Sequence, residues 1–260
     1  MFQLKRILFP IDFSDRARGA FAYVEALAGQ FEAELILLHV MEPATYNSTL
    51  ADLDEVSPER FDQFLGKDLK YLRVERLIWH GDAAMKIVEC AASRAVDLIM
   101  IPTQGMGMYR RLIIGSTSAK VLHDADCPVW TGVHLEDAPK VENVHCRKVL
   151  CAVDFKPPSA RVVEWANHLA HAYQAELMLL HVGSDAQAQH TLEELKKHAK
   201  ARGTVRVEQG EAAKTVPEVA RKWGADLVVI GRKAEIGLLG RLEMTAYSII
   251  RQSPCPVVSV

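Results

Sequence analysis

Long apolar runs are missing from this sequence. The longest, "ELILLHV" and "DLIMIP", are strand-sized and broken by polar residues, so neither has the length of a membrane span. The opening "MFQLKRILFPIDF" carries a Lys-Arg pair ahead of apolar residues, but Asp12 interrupts it too early for a signal-peptide core. A surplus of charge of one sign is also missing: 31 Lys and Arg face 33 Asp and Glu, for a formal net charge of -2. No global positive field therefore draws the chain to nucleic acid or an anionic membrane. Cysteine is scarce and odd in number, with Cys90, Cys127, Cys146, Cys151 and Cys255 mostly in apolar surroundings. Reduced, buried thiols and a cytoplasmic location are expected, with no structural disulfide.

Catalytic signatures are absent too. No nucleophile elbow, paired zinc histidines or close carboxylate pair occurs, which argues against rapid turnover. "GEAAKT" at Gly210 resembles the end of a phosphate loop but has no glycine before Lys214. "GMGMYR" offers Gly105 and Gly107 but places Arg110 where a dinucleotide fingerprint needs its third glycine. His145, Cys146 and Cys151 lack a fourth ligand, so no metal centre is assigned.

What the chain does have is a repeat. "KRILFPIDF" returns as "RKVLCAVDF" and "EAELILLHV" as "QAELMLLHV", both at an offset of 142. "HGDAAMKIVECAASRAVDLIMIP" returns as "QGEAAKTVPEVARKWGADLVVIG" at 129, and "CPVW" as "CPVV" at 128. The second copy has therefore lost residues after its second strand. The polar segment "HLEDAPKVENVH" lacks periodicity and reads as a linker, giving units at residues 1–133 and 147–260 joined by 134–146.

Within a copy, "RILFPI", "ELILLHV", "RVERLIW", "VDLIMI" and "CPVWTGV" read as strands, several of them apolar on both faces as in a covered parallel sheet. Ala17, Ala20, Phe21, Val24, Leu27, Ala28 and Phe31 form one helical stripe, with Ser14 as its N-cap. Val162, Trp165, Ala166, Leu169 and Tyr173 repeat that stripe. Alternating strands and helices predict two doubly wound, Rossmann-like or flavodoxin-like α/β domains, each with a five-stranded parallel sheet. Ligands of such sheets lie beyond the carboxyl ends of the strands, where strand order reverses.

Asp12, His39-Val40 and Pro102 fall at those ends. Gly115-Ser116 precedes the helical "TSAKVLHD", and free N–H groups there suit an anion. Arg110 and Arg111 add charge, and Gly105 permits close backbone approach. The plainer reading of Gly115 is a turn, of Ser116 a helix cap, and of Asp12 a turn residue accepting nearby N–H bonds. His39 and His181, each alone at a strand end, read as structural.

"ILFPIDFS", "ELILLHV", the Gly-Asp-Ala helix entry, "DLIMI", "GSTSAKVL" and "CPVW" occur in the order found in the universal stress protein family, and the chain resembles the tandem form of that family. The resemblance implies ATP or a related adenine nucleotide, with Mg2+ as a possible companion, in the first unit. Its phosphate loop, Gly-x2-Gly-x9-Gly-Ser/Thr, is matched from Gly105 to Gly115-Ser116, while its first glycine falls on Pro102. By that carry-over Val40 meets the adenine, and Asp12 meets the adenosine end or a phosphate-bound metal. Gly105, Gly115, Ser116 and Thr117 surround the phosphates. Proline lacks an N–H, so weakened binding is the expectation. In the second copy Gly231 matches, but Ala234 and Met244-Thr245 replace the rest, which predicts no phosphate site there and leaves Asp154 and Val182 around a remnant pocket. The resemblance also implies that the last strands, around Val129 and Val257, meet across an internal pseudo-two-fold axis. The implied role is a stress-response sensor or switch with at most slow hydrolysis. The alternative is a scaffold, or a binder of another small ligand.

Overall fold

A computed structural model describes residues 4–42, 58–65, 69, 71–103, 114–132, 141–157, 159–232 and 244–260. In the first half, strands β1 (Arg6–Pro10), β2 (Glu34–Met41), β3 (Arg73–His80), β4 (Leu98–Pro102) and β5 (Val129–Gly132) alternate with helices. These are α1 (Asp15–Phe31), α2 (Pro58–Leu65), α3 (Ala83–Ser93) and α4 (Ser116–Asp124). The second half repeats the pattern with β6 (Lys148–Ala152), β7 (Glu176–Val182), β8 (Thr204–Glu208), β9 (Leu227–Ile230) and β10 (Val257–Ser259). Its helices are α5 (Ser159–Tyr173), α6 (Ala188–His198), α7 (Ala212–Trp223) and α8 (Met244–Gln252).

All ten strands form one sheet in the order β3-β2-β1-β4-β5-β10-β9-β6-β7-β8. Each half is parallel, as expected, and the halves join where β5 and β10 pair antiparallel, with Thr131 opposite Val257 and Trp130 opposite Val258. That pairing closes the two strand edges the halves would otherwise expose. The outer edges, β3 and β8, are only half-buried and carry Arg73, Glu75, Arg76, Arg206 and Glu208, charges that discourage further strand addition.

Alternation along the central strands sends side chains to two cores. Ile7, Phe9, Leu35, Leu37, Met100 and Trp130 pack under α1, α2, α5 and α6. Leu8, Ile36, Leu38, Ile99, Ile101 and Val129 pack under α3, α4, α7 and α8. Helix α1 starts where Ser14 accepts the Ala17 N–H at 3.3 Å, and it buries the predicted stripe from Ala17 to Ala28. Helix α5 does the same through Val162, Trp165, Ala166 and Leu169. The two stripes converge over the seam: Tyr23 lies 5.5 Å from Trp130, Phe31 lies 6.2 Å from Tyr173, and Gln30 donates to the Ala172 carbonyl at 2.9 Å.

Arg232 ties the halves on the other side. Its Nη2 donates to the Ala125 and Cys127 carbonyls at 2.6 and 2.8 Å, and burial lowers its pKa to about 10.

The five thiols are free. Burial pushes Cys90 and Cys127 up to about 11 and Cys146 and Cys255 up to about 12, and it raises Cys151 as well. Unfolded thiols ionise near their ordinary value while the folded ones keep their protons. Stability is therefore full below about pH 9 and falls as pH rises toward the folded values. Urea unfolding at pH 8 and pH 10 is expected to differ by on the order of 1 kcal/mol for each of the buried Cys90 and Cys151, and by less for the half-buried Cys127, Cys146 and Cys255. A stability that is flat across this interval contradicts their burial.

Candidate functional site

The strand order reverses between β1 and β4, whose crossover helices α1 and α3 lie on opposite faces of the sheet. A cavity of about 510 Å³ opens there, at the carboxyl ends of the strands. Asp12, Val40, Pro102, Gly115 and Thr117 all line it. Gly105 lies outside the described residues, as do Arg110 and Arg111. Ser116 is the first residue of α4 and exposed; among the described residues, the hydroxyls at the wall are those of Thr117 and Ser118.

The loop after β1 is built around Asp12. Its Oδ1 accepts the Ser14 N–H at 3.0 Å and the Ser14 hydroxyl at 2.6 Å, while Oδ2 has no hydrogen-bond partner among the described residues. The intervening Phe13 is held at φ 56°, a costly conformation for a bulky residue. Its ring is fixed by His39 at 4.7 Å and by Phe61 and Phe64 at 5.5 and 5.4 Å. His39 in turn donates from Nδ1 to the Ile11 carbonyl at 2.7 Å, the structural role expected of it.

Gly115 caps α4 with φ -58° and ψ 152° and no side-chain hydrogen bond, so the first N–H groups of the helix have no side-chain cap. Ser118 is used internally, its hydroxyl donating to the Pro102 carbonyl at 3.2 Å. The N–H groups of Ile99 and Thr103 point to β5, bonding Pro128 and Gly132 at 3.0 and 3.1 Å. By alternation the nitrogen of Pro102 faces the β1 side, above the last β1–β4 pairs. A proline there costs the sheet no hydrogen bond but leaves the crevice one donor short.

Acidic groups flank the mouth. Glu42 lines the cavity and accepts the Ala83 N–H at 3.3 Å. Beside it Asp82 caps α3, and the Met85 N–H, then Lys120, hold its carboxyl below the ordinary value. Arg60, from α2, also lines the cavity, and no feature noted in the sequence pointed to it. The available signal was the spacing of Phe61, Phe64 and Leu65 in "PERFDQFL", which marks a short amphipathic helix.

The second half keeps the loop and loses the space. Phe155 again has φ 62°, its ring stacks on His181 at 3.9 Å, and His181 donates to the Val153 carbonyl at 2.9 Å. Yet the corresponding cavity is about 90 Å³. Asp154 is occupied on both oxygens: Oδ1 accepts from the Lys156 N–H and Ser159, and Oδ2 pairs with Lys156 Nζ at 3.3 Å. Ala246 and Ile249 stand in its wall, at the positions of α8 that match the buried Ser118 and Val121 of α4. Among the described residues no group of three or more His, Cys, Asp or Glu side chains is placed to hold a metal, and no helix is long and apolar enough to cross a membrane.

Fold and cavity together define a duplicated doubly wound α/β protein with an open cleft at the switch point of one half. A family model for the universal stress protein family matches residues 3–131, 145–202 and 183–260, and the chain belongs to that family. A universal stress protein of Mycolicibacterium smegmatis is 25% identical over 98% of this chain and 96% of its own. One from Thermus aquaticus is 32% identical over 48% of this chain and 96% of its own, the span of a single repeat. The crystal structure of a universal stress protein from Archaeoglobus fulgidus superposes with a TM-score of 0.80 at 23% identity, over 99% of this chain and 98% of that one.

Proposed function

We propose that the protein is a cytoplasmic stress-response sensor or switch that binds one adenine nucleotide, ATP or a close relative, in the first half. The observation that carries this reading is the asymmetry of the two cavities, about 510 Å³ against 90 Å³ around equivalent loops. In this reading the adenine lies against Val40, and Asp12 Oδ2 meets the adenosine end or a phosphate-bound Mg2+. The phosphates lie toward the uncapped start of α4, with Gly105, Gly115, Ser116 and Thr117 around them. The free Oδ2 and the uncapped helix suit a cation-bearing anion. At most slow hydrolysis belongs to this reading. We place the two units at residues 1–133 and 147–260, joined by 134–146.

Mass spectrometry of small molecules released from purified protein, followed by calorimetry with ATP, ADP and AMP, tests the reading. Failure to bind any of them at millimolar concentration sinks it. A second reading, a scaffold without nucleotide control, draws support from Pro102 and from the closed second cavity. The two are separated by Pro102→Gly. Restoring an N–H at the crevice is expected to tighten ATP by about one hydrogen bond, roughly three- to tenfold. Under the scaffold reading calorimetry registers no change.

A further inference from the structure

We propose that Arg60 gives the first cavity its selectivity for phosphorylated ligands. This inference rests on the nucleotide reading above. Among the described residues at the cavity Arg60 is the only Lys or Arg, while Asp12 and Glu42 are acids. Among the described residues, a polyphosphate entering this cleft meets the Asp12 and Glu42 carboxylates, with Arg60 and the helix N-terminus to offset them.

The position of Arg60 is built. Phe61, the next residue, is fully buried in the core under α1 and α2 and anchors the short helix. Phe13 packs against both Phe61 and Phe64, so the Asp12 loop and α2 share one aromatic cluster. Arg18 lies over Phe64 at 4.7 Å, and the Arg60 guanidinium lies over Phe13 at 4.8 Å. A guanidinium laid on an aromatic ring keeps its charge and presents N–H donors at its edge, a fork suited to phosphate oxygens. The strained Phe13 turn thus has a second use: it supplies the platform for the cation. The second half repeats the turn with Phe155 but spends that ring on His181, and among the described residues its small cavity is lined by no Lys or Arg.

The test is calorimetry of the full chain and of Arg60→Gln with ATP and with adenosine. Arg60→Gln is expected to weaken ATP about tenfold, the scale of one charge-assisted contact at an exposed site, and to leave adenosine within about twofold. Arg60→Lys keeps the charge without the fork and is expected to fall between. In the unsubstituted chain ATP affinity is expected to drop with added NaCl more steeply than in Arg60→Gln. Unchanged ATP affinity in Arg60→Gln, or equal loss for ATP and adenosine, overturns the role of Arg60 and leaves the nucleotide reading standing. If the unsubstituted chain binds neither ligand, both fall.

Discussion

Gly115→Val is expected to weaken ATP binding about 100-fold or more, because it strikes where the start of α4, with no side-chain cap, meets the cavity wall. The backbone at Gly115 has φ -58° and ψ 152°, an extended conformation that valine adopts without strain, so the substitution acts through the space its side chain fills. The loss of a good N-cap costs the helix about 1 kcal/mol, which a 260-residue chain with two extensive cores withstands. Calorimetry with ATP, together with a thermal melt, separates the two effects. If nucleotide binding survives at its original affinity, the phosphates lie elsewhere.

The largest expected effect on stability belongs to Trp130→Ala. Trp130 is 4% exposed, pairs with Val258 across the seam and packs on Tyr23. A small void of about 40 Å³ already lies beside it, bounded by Tyr23, Trp165, Leu169 and Val258, and truncation enlarges it. Removing the indole is expected to cost about 3–5 kcal/mol in urea denaturation, the range for large aromatic truncations that leave a cavity. Because among the described residues β5 and β10 are the strands that join the halves, the loss is also expected to broaden the transition as the halves begin to unfold separately. A loss below about 1 kcal/mol contradicts a seam held by this contact.

The repeat carried most of the architecture into the sequence. The shared offset of 142 at Asp12 and Asp154 and at His39 and His181, shortened to 129 at Asp97 and Asp226, implies two copies of one unit with the second trimmed between them, and the quoted runs mark the strands that became β1 to β5. The union of the halves into one sheet through Trp130 and Val258 was read from family resemblance alone, since nothing in "CPVW" or "CPVV" specifies an antiparallel partner.

At the site, Asp12, Val40, Pro102, Gly115 and Thr117 converge on one cavity. Which hydroxyl faces it was not legible, because one residue along a helix turns the side chain by about 100°. That step exchanges the exposed Ser116 for Thr117. Arg60 escaped notice because α2 is eight residues long and its segment has no echo in the second copy. In the second half Lys156 turns back to pair with Asp154, a contact between side chains two positions apart that no motif announces.

The asymmetry of the two halves is the centre of this account, and the stoichiometry of ATP binding to the full chain tests it most directly. Calorimetry at saturating nucleotide is predicted to give one site per chain. Two sites per chain, or none at millimolar ATP, would contradict it.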